Sequence, residues 1–263
     1  MASASFDPAA EADRLHRRLE QLAARPTWGK EKMTLRIAVP NLRSVAREAS
    51  ERLDDADHAG VVELVELLWN GVTYDEMHLA VELLRMRPEV VDAGLIHRLR
   101  PGLDGRAVTD DLASVLREWV AEDPADRLEF LAELTGAGDP WSRRLGLLGT
   151  ARLTRRGEAI DETLALVAGV LGDRRTETAN AVSATLRGLA RKSPQQVEAF
   201  VEEHADDIPA LVRLEVWNTV RFGRKDGAAH QRRADRSAAK RAEHRRSGEP
   251  RRPSRRSRRR SGE

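Results

Sequence analysis

Two short stretches hold the residues best suited to chemistry. GRAVTDDLASVLREWV, residues 105–120, carries adjacent carboxylates at Asp110 and Asp111. A fixed carboxylate can stabilise a developing cation or orient a water for attack. DPWSRRLGLLGTARL, residues 139–153, places Arg143 and Arg144 just behind Trp141. Cations in a helix's first turn oppose its macrodipole by about 0.3–1 kcal/mol each, and a phosphate nearby would remove that conflict. A third group, Arg174, Arg175, Arg187 and Arg191, lies on and before TETANAVSATLRGLARKS, with Arg187 and Arg191 one turn apart. Each stretch also has a plainer explanation. Thr109 can cap a helix whose first turn then favours Asp110 and Asp111. Trp141 can pack while the arginines of the two basic stretches meet solvent.

Helical wheels separate these side chains by face. From Trp141, Leu145 and Leu148 fall within about 40°, Arg144 lies about 60° to one side and Arg143 faces away. Trp141 is therefore expected in the core, Arg144 at the flank of the buried stripe and Arg143 in solvent. Asp110 falls roughly opposite the stripe Leu112, Val115, Leu116 and Trp119, so it should project where a ligand can meet it.

The elements that must hold these residues are helices. The chain has 263 residues, 40% of them apolar and only 4% aromatic. Ala, Leu, Val, Glu and Arg dominate, as in packed amphipathic helices. The i, i+3, i+4, i+7 spacing recurs at Val61, Leu64, Val65, Leu68 and at Met77, Ala80, Val81, Leu84. It returns at Leu112, Val115, Leu116, Trp119 and at Leu164, Val167, Ala168, Leu171. Pro40, Pro124, Pro140 and Pro194 mark helix starts, with Asp123 and Asp139 as caps before two of them. About twelve helices over residues 8–223 give about six antiparallel pairs, and no strand pattern interrupts them. The spacing favours an all-α, curved superhelical array of HEAT-like pairs over a single compact helical domain. Trp28 and Trp69 are expected in the core.

Charge divides the chain unevenly. Residues 228–263 hold 14 Lys and Arg against 4 Asp and Glu, a net +10, while the remainder carries −8. That tail has no apolar residue larger than Ala, so disorder and contact with a polyanion are expected. The boundary is placed between an ordered unit, 1–227, and an Arg-rich tail, 228–263. The chain has no cysteine, and its 7 histidines form no H-x-x-x-H pair, which leaves no expected metal site or cofactor. No stretch approaches a membrane span, so the expectation is a monomeric cytoplasmic protein without a membrane partner, nucleoid-associated if bacterial.

Five segments, in order, resemble the HEAT-like-repeat DNA alkylation repair family, the AlkD type of DNA glycosylase. LRIAVPNLRSVARE is similar to its G-V-x-x-P-x-L-R helix, and LLWNGVTYDEMHLAVELL to its L-W-x-S…E-x-x-x-A-x-x-x-L repeat. TDDLASVL resembles its W-x-x-x-D-x-L-A helix, and DPWSRRLGLLGTARL its W-x-R-R-x-A helix. TLRGLARKSPQQVEAFVEEH resembles A-L-R-x-Y-A-K-x-x-P-x-x-V-x-x-F. The likeness spans roughly residues 8–223.

The resemblance implies binding of double-stranded, alkylated DNA and hydrolytic excision of cationic N3- or N7-alkylated purines. Such a base already carries its positive charge, so the barrier is chiefly an oxocarbenium-like sugar that a carboxylate can stabilise. Asp110 matches the family's carboxylate, with Asp111 as the alternative one residue on. Arg144 matches an arginine that contacts backbone phosphate, and Arg143, Arg187 and Arg191 are further phosphate candidates. Two aromatic positions differ: Arg106 and Ala184 stand where the family has tryptophans facing the lesion. A rival reading is a non-catalytic binder of damaged or branched DNA, and a third is a protein-binding scaffold. Trp217 is a candidate to replace the missing aromatics.

Overall fold

The computed structural model describes residues 6–29, 31–54 and 56–227, with Ala229 and Arg232. Apart from Ala229 and Arg232, the tail and its expected disorder fall outside the described residues. In chain order, the helices begin with α1 (Pro8–Leu22), α2 (Val39–Arg52), α3 (His58–Trp69), α4 (Tyr74–Met86) and α5 (Ala93–Leu99). Next come α6 (Arg106–Glu122), α7 (Pro124–Gly136), α8 (Pro140–Gly149), α9 (Ala151–Arg156) and α10 (Ile160–Ala168). The last are α11 (Thr176–Leu189), α12 (Pro194–Glu203) and α13 (Ala210–Phe222). None of the described helices is long and apolar enough to cross a membrane.

Packing sorts the helices into two rows. α2, α4, α6, α8, α11 and α13 form one continuous row, each touching the next. α1, α3, α5, α7, α10 and α12 back it, and α9 is a short extra segment between α8 and α10. Six helix pairs result among the described residues, which is the expected all-α array. Successive members of the long row are cross-linked at matching turns: His78 on α4 meets Asp111 on α6, and Asp110 on α6 meets Arg144 on α8. That register fits neighbours running the same way, each returned by a backing helix.

The apolar stripes explain the rows. Val61, Leu64, Val65 and Leu68 on α3, and Met77, Ala80, Val81 and Leu84 on α4, are all buried. On α6, Leu112, Val115 and Leu116 are buried and Trp119 partly so, stacked edge-on to Phe130 of α7. The fourth stripe is weaker: Leu164 and Ala168 are only half-buried, and Leu171 lies beyond the end of α10.

Helix α8 is enclosed from several sides. Leu145 joins the core that runs from α1 to α9, while Leu147 joins the core of the C-terminal helices. Glycines allow the close fit. A methyl group at Gly146 would come within 3.0 Å of the Leu131 carbonyl, and one at Gly149 within 2.7 Å of the Leu131 side chain. α7 can therefore lie hard against α8, which fixes where Arg144 emerges.

A hairpin breaks the all-helical expectation. β1 (Thr27–Trp28) pairs antiparallel with β2 (Met33–Thr34), and Met33 also bridges to Thr73. The buried carboxylate of Asp75 latches the following segment by accepting from Leu35 N at 2.6 Å and Ile37 N at 3.0 Å. Lys32 Nζ donates to the Trp69 carbonyl at 3.0 Å and the Gly71 carbonyl at 2.5 Å. Strands of two residues are too short for alternation to reveal them. Trp28, expected in the core, is 82% exposed on this hairpin, whereas Trp69 is buried as expected. Trp28 is held by backbone pairing, so its ring needs no cover.

Candidate active site

Helix α6 starts earlier than its capping residues suggest. Gly105 is the N-cap, and Thr109 instead turns its hydroxyl to the Gly105 carbonyl at 2.8 Å from inside the helix. The first turn consequently contains no acidic residue. Asp110 and Asp111 stand one turn further in, where the macrodipole has largely faded. Helix-start electrostatics does not account for them.

Their partners do. Asp110 leans toward α8: Arg144 donates to its Oδ1 from Nε at 2.7 Å, and Nη2 lies 2.6 Å from the same oxygen. Among the described residues, Asp110 Oδ2 receives only the longer contact from Arg106 Nε, at 3.4 Å. Asp111 leans the other way, toward α4. His78 Nδ1 lies 2.6 Å from Asp111 Oδ2, and Arg85 Nη2 lies 3.4 Å from Oδ1. Adjacent carboxylates are thus claimed by opposite neighbours in the row. Burial pushes the Asp111 pKa up, but hydrogen bonding and charge from His78 and Arg85 outweigh it and hold the pKa below the usual carboxylate range.

The arginines separate by environment. Arg144 is 3% exposed, more deeply buried than the flanking position expected, and its third nitrogen makes only a 3.5 Å contact with the Glu177 carbonyl. Arg143 does not face solvent. Its Nε donates to the Ala137 carbonyl at 2.7 Å and its Nη1 lies 2.8 Å from Asp173 Oδ2. A helical wheel represents one helix only, and both of these partners lie outside it. Asp173 also accepts from Arg175 and Thr178, and these bonds, led by those of Arg175, hold its carboxyl far below the usual range. Trp141, expected in the core, is only half-buried against it, whereas Asp139 caps α8 at Ser142 N, 2.7 Å away, as expected. Asp123 sits at the start of α7 but makes no capping bond.

The third arginine group does not form one patch. Arg174 and Arg175 precede α11, while Arg187 and Arg191 lie at its far end, roughly 18 Å away along a helix rising 1.5 Å per residue. Arg174 donates to the Asp207 carbonyl at 2.9 Å, and Arg175 donates to the Gly138 carbonyl at 3.0 Å. Burial lowers the Arg187 pKa, partly offset by Glu215 on α13 at 3.8 Å. Arg191 is exposed beyond the helix end. Half-buried Ala184 offers no aromatic surface, and Trp217 packs in the C-terminal core on α13, two steps along the row from α8.

The residues that local patterns do not reveal are His78, Glu82 and Arg85 on α4. Arg85 bonds to Glu82 and to Ser114 Oγ at 2.6 Å, and Glu82 also receives Arg43 of α2 at 3.5 Å. His78 lies within the LLWNGVTYDEMHLAVELL segment, but nothing local to it points at Asp111. No group of three or more potential metal ligands occurs among the described residues. What α4, α6 and α8 present together is a carboxylate gripped by Arg144 on one oxygen and held more loosely by Arg106 on the other, beside a histidine–carboxylate pair.

Comparison with known proteins follows this geometry. A predicted DNA alkylation repair enzyme from Enterococcus faecalis superposes with a TM-score of 0.63 at 14% identity, covering 82% of this chain and 97% of its own. AlkD2 from Streptococcus mutans gives 0.57 at 16% identity, covering 74% and 89%. The smu.31 protein from Streptococcus mutans UA159 gives 0.56 at 16% identity, covering 73% and 89%. At these identities the likeness establishes the fold alone. No curated protein matches in sequence. The family model for DNA alkylation repair enzymes matches residues 11–216, which includes every helix described between α2 and α12. The chain belongs to the DNA alkylation repair enzyme family.

Proposed function

We propose that this protein is a DNA N-glycosylase that removes cationic N3- or N7-alkylated purines from duplex DNA. The observation that carries this reading is the division of labour at Asp110, whose side chain is 37% exposed: Oδ1 is gripped by Arg144, and Oδ2 holds a longer contact, 3.4 Å, with Arg106. As the C1′–N9 bond lengthens, the purine leaves as a neutral base and positive charge collects on the sugar. A carboxylate oxygen held in place stabilises that charge without having to reorganise. Arg144 is buried, so its first task is to position Asp110. Its third nitrogen, turned to the Glu177 carbonyl on a side chain 3% exposed, is poorly placed for a phosphate. Exposed Arg106 and Arg191 are the more accessible phosphate contacts, and the Arg-rich tail adds counterion-releasing affinity that a body of net −8 lacks.

A second reading has one specific observation in its favour. Arg106, 72% exposed, sets its guanidinium 3.4 Å from Asp110 Oδ2, where a cationic sugar would be repelled. That arrangement suits a protein that binds damaged DNA without cutting it. Incubating the full chain, in excess over lesions, with methylated duplex DNA and measuring free 3-methyladenine and 7-methylguanine decides between them. Release that Asp110→Asn abolishes, with DNA affinity retained, supports the glycosylase. Tight binding without release establishes the second reading.

A further inference from the structure

We infer that His78 accepts the proton of the attacking water, with Asp111 as its positioning residue. The inference rests on the glycosylase reading and adds a residue that reading does not require.

Hydrolysis of a cationic purine nucleotide needs no proton for the leaving group, but it must dispose of one. The C1′–N9 bonding pair departs with the base, which becomes neutral. Water forms the new C1′–O bond and gives up a proton. Asp110 is useful to the sugar cation only while it stays anionic, so a separate acceptor next to it relieves it of that proton. The acceptor must reach the exposed side of α6, lie near Asp110 and have a vacant lone pair.

Through Asp111, the 40%-exposed residue next to Asp110, the candidate for this acceptor is His78. Its side chain is 23% exposed, and it crosses from α4 to the residue directly after Asp110. The 2.6 Å contact to Asp111 engages Nδ1, and Nε2 makes no hydrogen bond among the described residues. Asp111, held ionised, fixes the tautomer that donates from Nδ1 and leaves Nε2 as the free acceptor. After proton transfer, the imidazolium is stabilised by the same carboxylate.

The surrounding charges are compatible with both states. On α6 the group facing the ring is Asp111, with Ser114 beyond it. On α4, Arg85 shares Asp111 and is itself paired with Glu82, which Arg43 of α2 also reaches. One turn earlier on α4, Asp75 is occupied by backbone amides and Tyr74 donates to Asp104. Among the described residues Arg85 is thereby the one cation drawn toward the pair, and its charge is divided between two acids.

The experiment is single-turnover release of 7-methylguanine by the full chain across pH 5 to 9, comparing wild type with His78→Asn. The Asn side-chain amide can still donate to Asp111, so the α4–α6 link survives. We expect release to fall about 100-fold or more. We also expect the wild-type decline on the acid side, where imidazoles take up a proton, to disappear in the variant. Added imidazole should restore part of the rate to His78→Ala. An unchanged rate and pH profile in His78→Asn, with wild type active, overturns this inference alone. No release by wild type at any pH overturns the glycosylase reading, and this one with it.

Discussion

Arg144 directs two nitrogens, Nε at 2.7 Å and Nη2 at 2.6 Å, at a single oxygen of Asp110 and leaves the other to Arg106 at 3.4 Å. A guanidinium can hold that position because its donors are fixed in one plane, while a lysine ammonium offers a single mobile point of charge. Arg144→Lys should therefore cut base release about tenfold or more, since one power of ten costs about 1.4 kcal/mol of transition-state stabilisation. DNA affinity should change little. Arg144→Ala should in addition lower stability by about 2 kcal/mol. Equal release by wild type and Arg144→Lys would show that the grip on Asp110 has no part in the reaction.

Arg106→Trp tests the departure nearest Asp110 Oδ2. The substitution removes a cation 3.4 Å from Asp110 Oδ2 and supplies an aromatic face at the position where the family resemblance expects one. A cation over an aromatic ring gains about 0.5–2 kcal/mol. Release of 7-methylguanine should rise by roughly 2- to 30-fold, the same energy expressed as a rate. A fall in single-turnover rate would mean that Arg106 serves the reaction, most simply through the DNA backbone.

Acid should destabilise the fold through Asp111 and Asp173. Both carboxyls titrate lower in the folded chain than in the unfolded one. Their stabilisation is complete above the ordinary carboxylate value of about 4 and is lost as the pH falls through the lower folded values. Asp173, 5% exposed and bonded to Arg143, Arg175 and Thr178, is the larger contributor. Asp173→Asn should cost about 2 kcal/mol near neutrality in urea titrations. Its stability should then decline less steeply than that of wild type below about pH 4. A variant that tracks wild type in parallel at every pH would remove Asp173 from the acid response.

The tail is tested by its charge. Residues 228–263 carry +10, so removing them should weaken duplex binding and flatten its salt dependence. Every phosphate that the shortened chain leaves un-neutralised reduces the slope of log K against log salt by about 0.9. Titrations of the full chain and of residues 1–227 at several salt concentrations give both quantities. Identical slopes would place the electrostatic contacts on the helices.

Local patterns locate the helices well because each helix must bury one stripe. The stripes of α3 and α4, the Asp139 cap and the exposed side of α6 are all legible from spacing. Pairings between helices are not. His78 and Asp111 are 33 residues apart, and only the stacking of α4 on α6 makes them neighbours. The position of Arg143 escapes the wheel for the same reason, since Asp173 comes from the turn before α11. Thr109 misleads differently: its side chain is equally able to cap a helix or to bond back to the carbonyl four residues earlier, and here it does the latter. The expectation for Trp28 follows the general tendency of large aromatics to pack, which a two-residue strand on the surface does not satisfy.

The long row also gives the site a mechanical character. Asp110 and Arg144 are each rigid on their own helices, so their separation is set by the spacing of α6 and α8. In an array of this kind each repeat contacts only its neighbours, and its curvature follows from the small rotation between one repeat and the next. A partner that bends the row along its length would therefore act directly on the 2.6 Å contact. The contact would shorten or lengthen with the spacing of the two helices, so the shape of a bound partner would be read at Asp110.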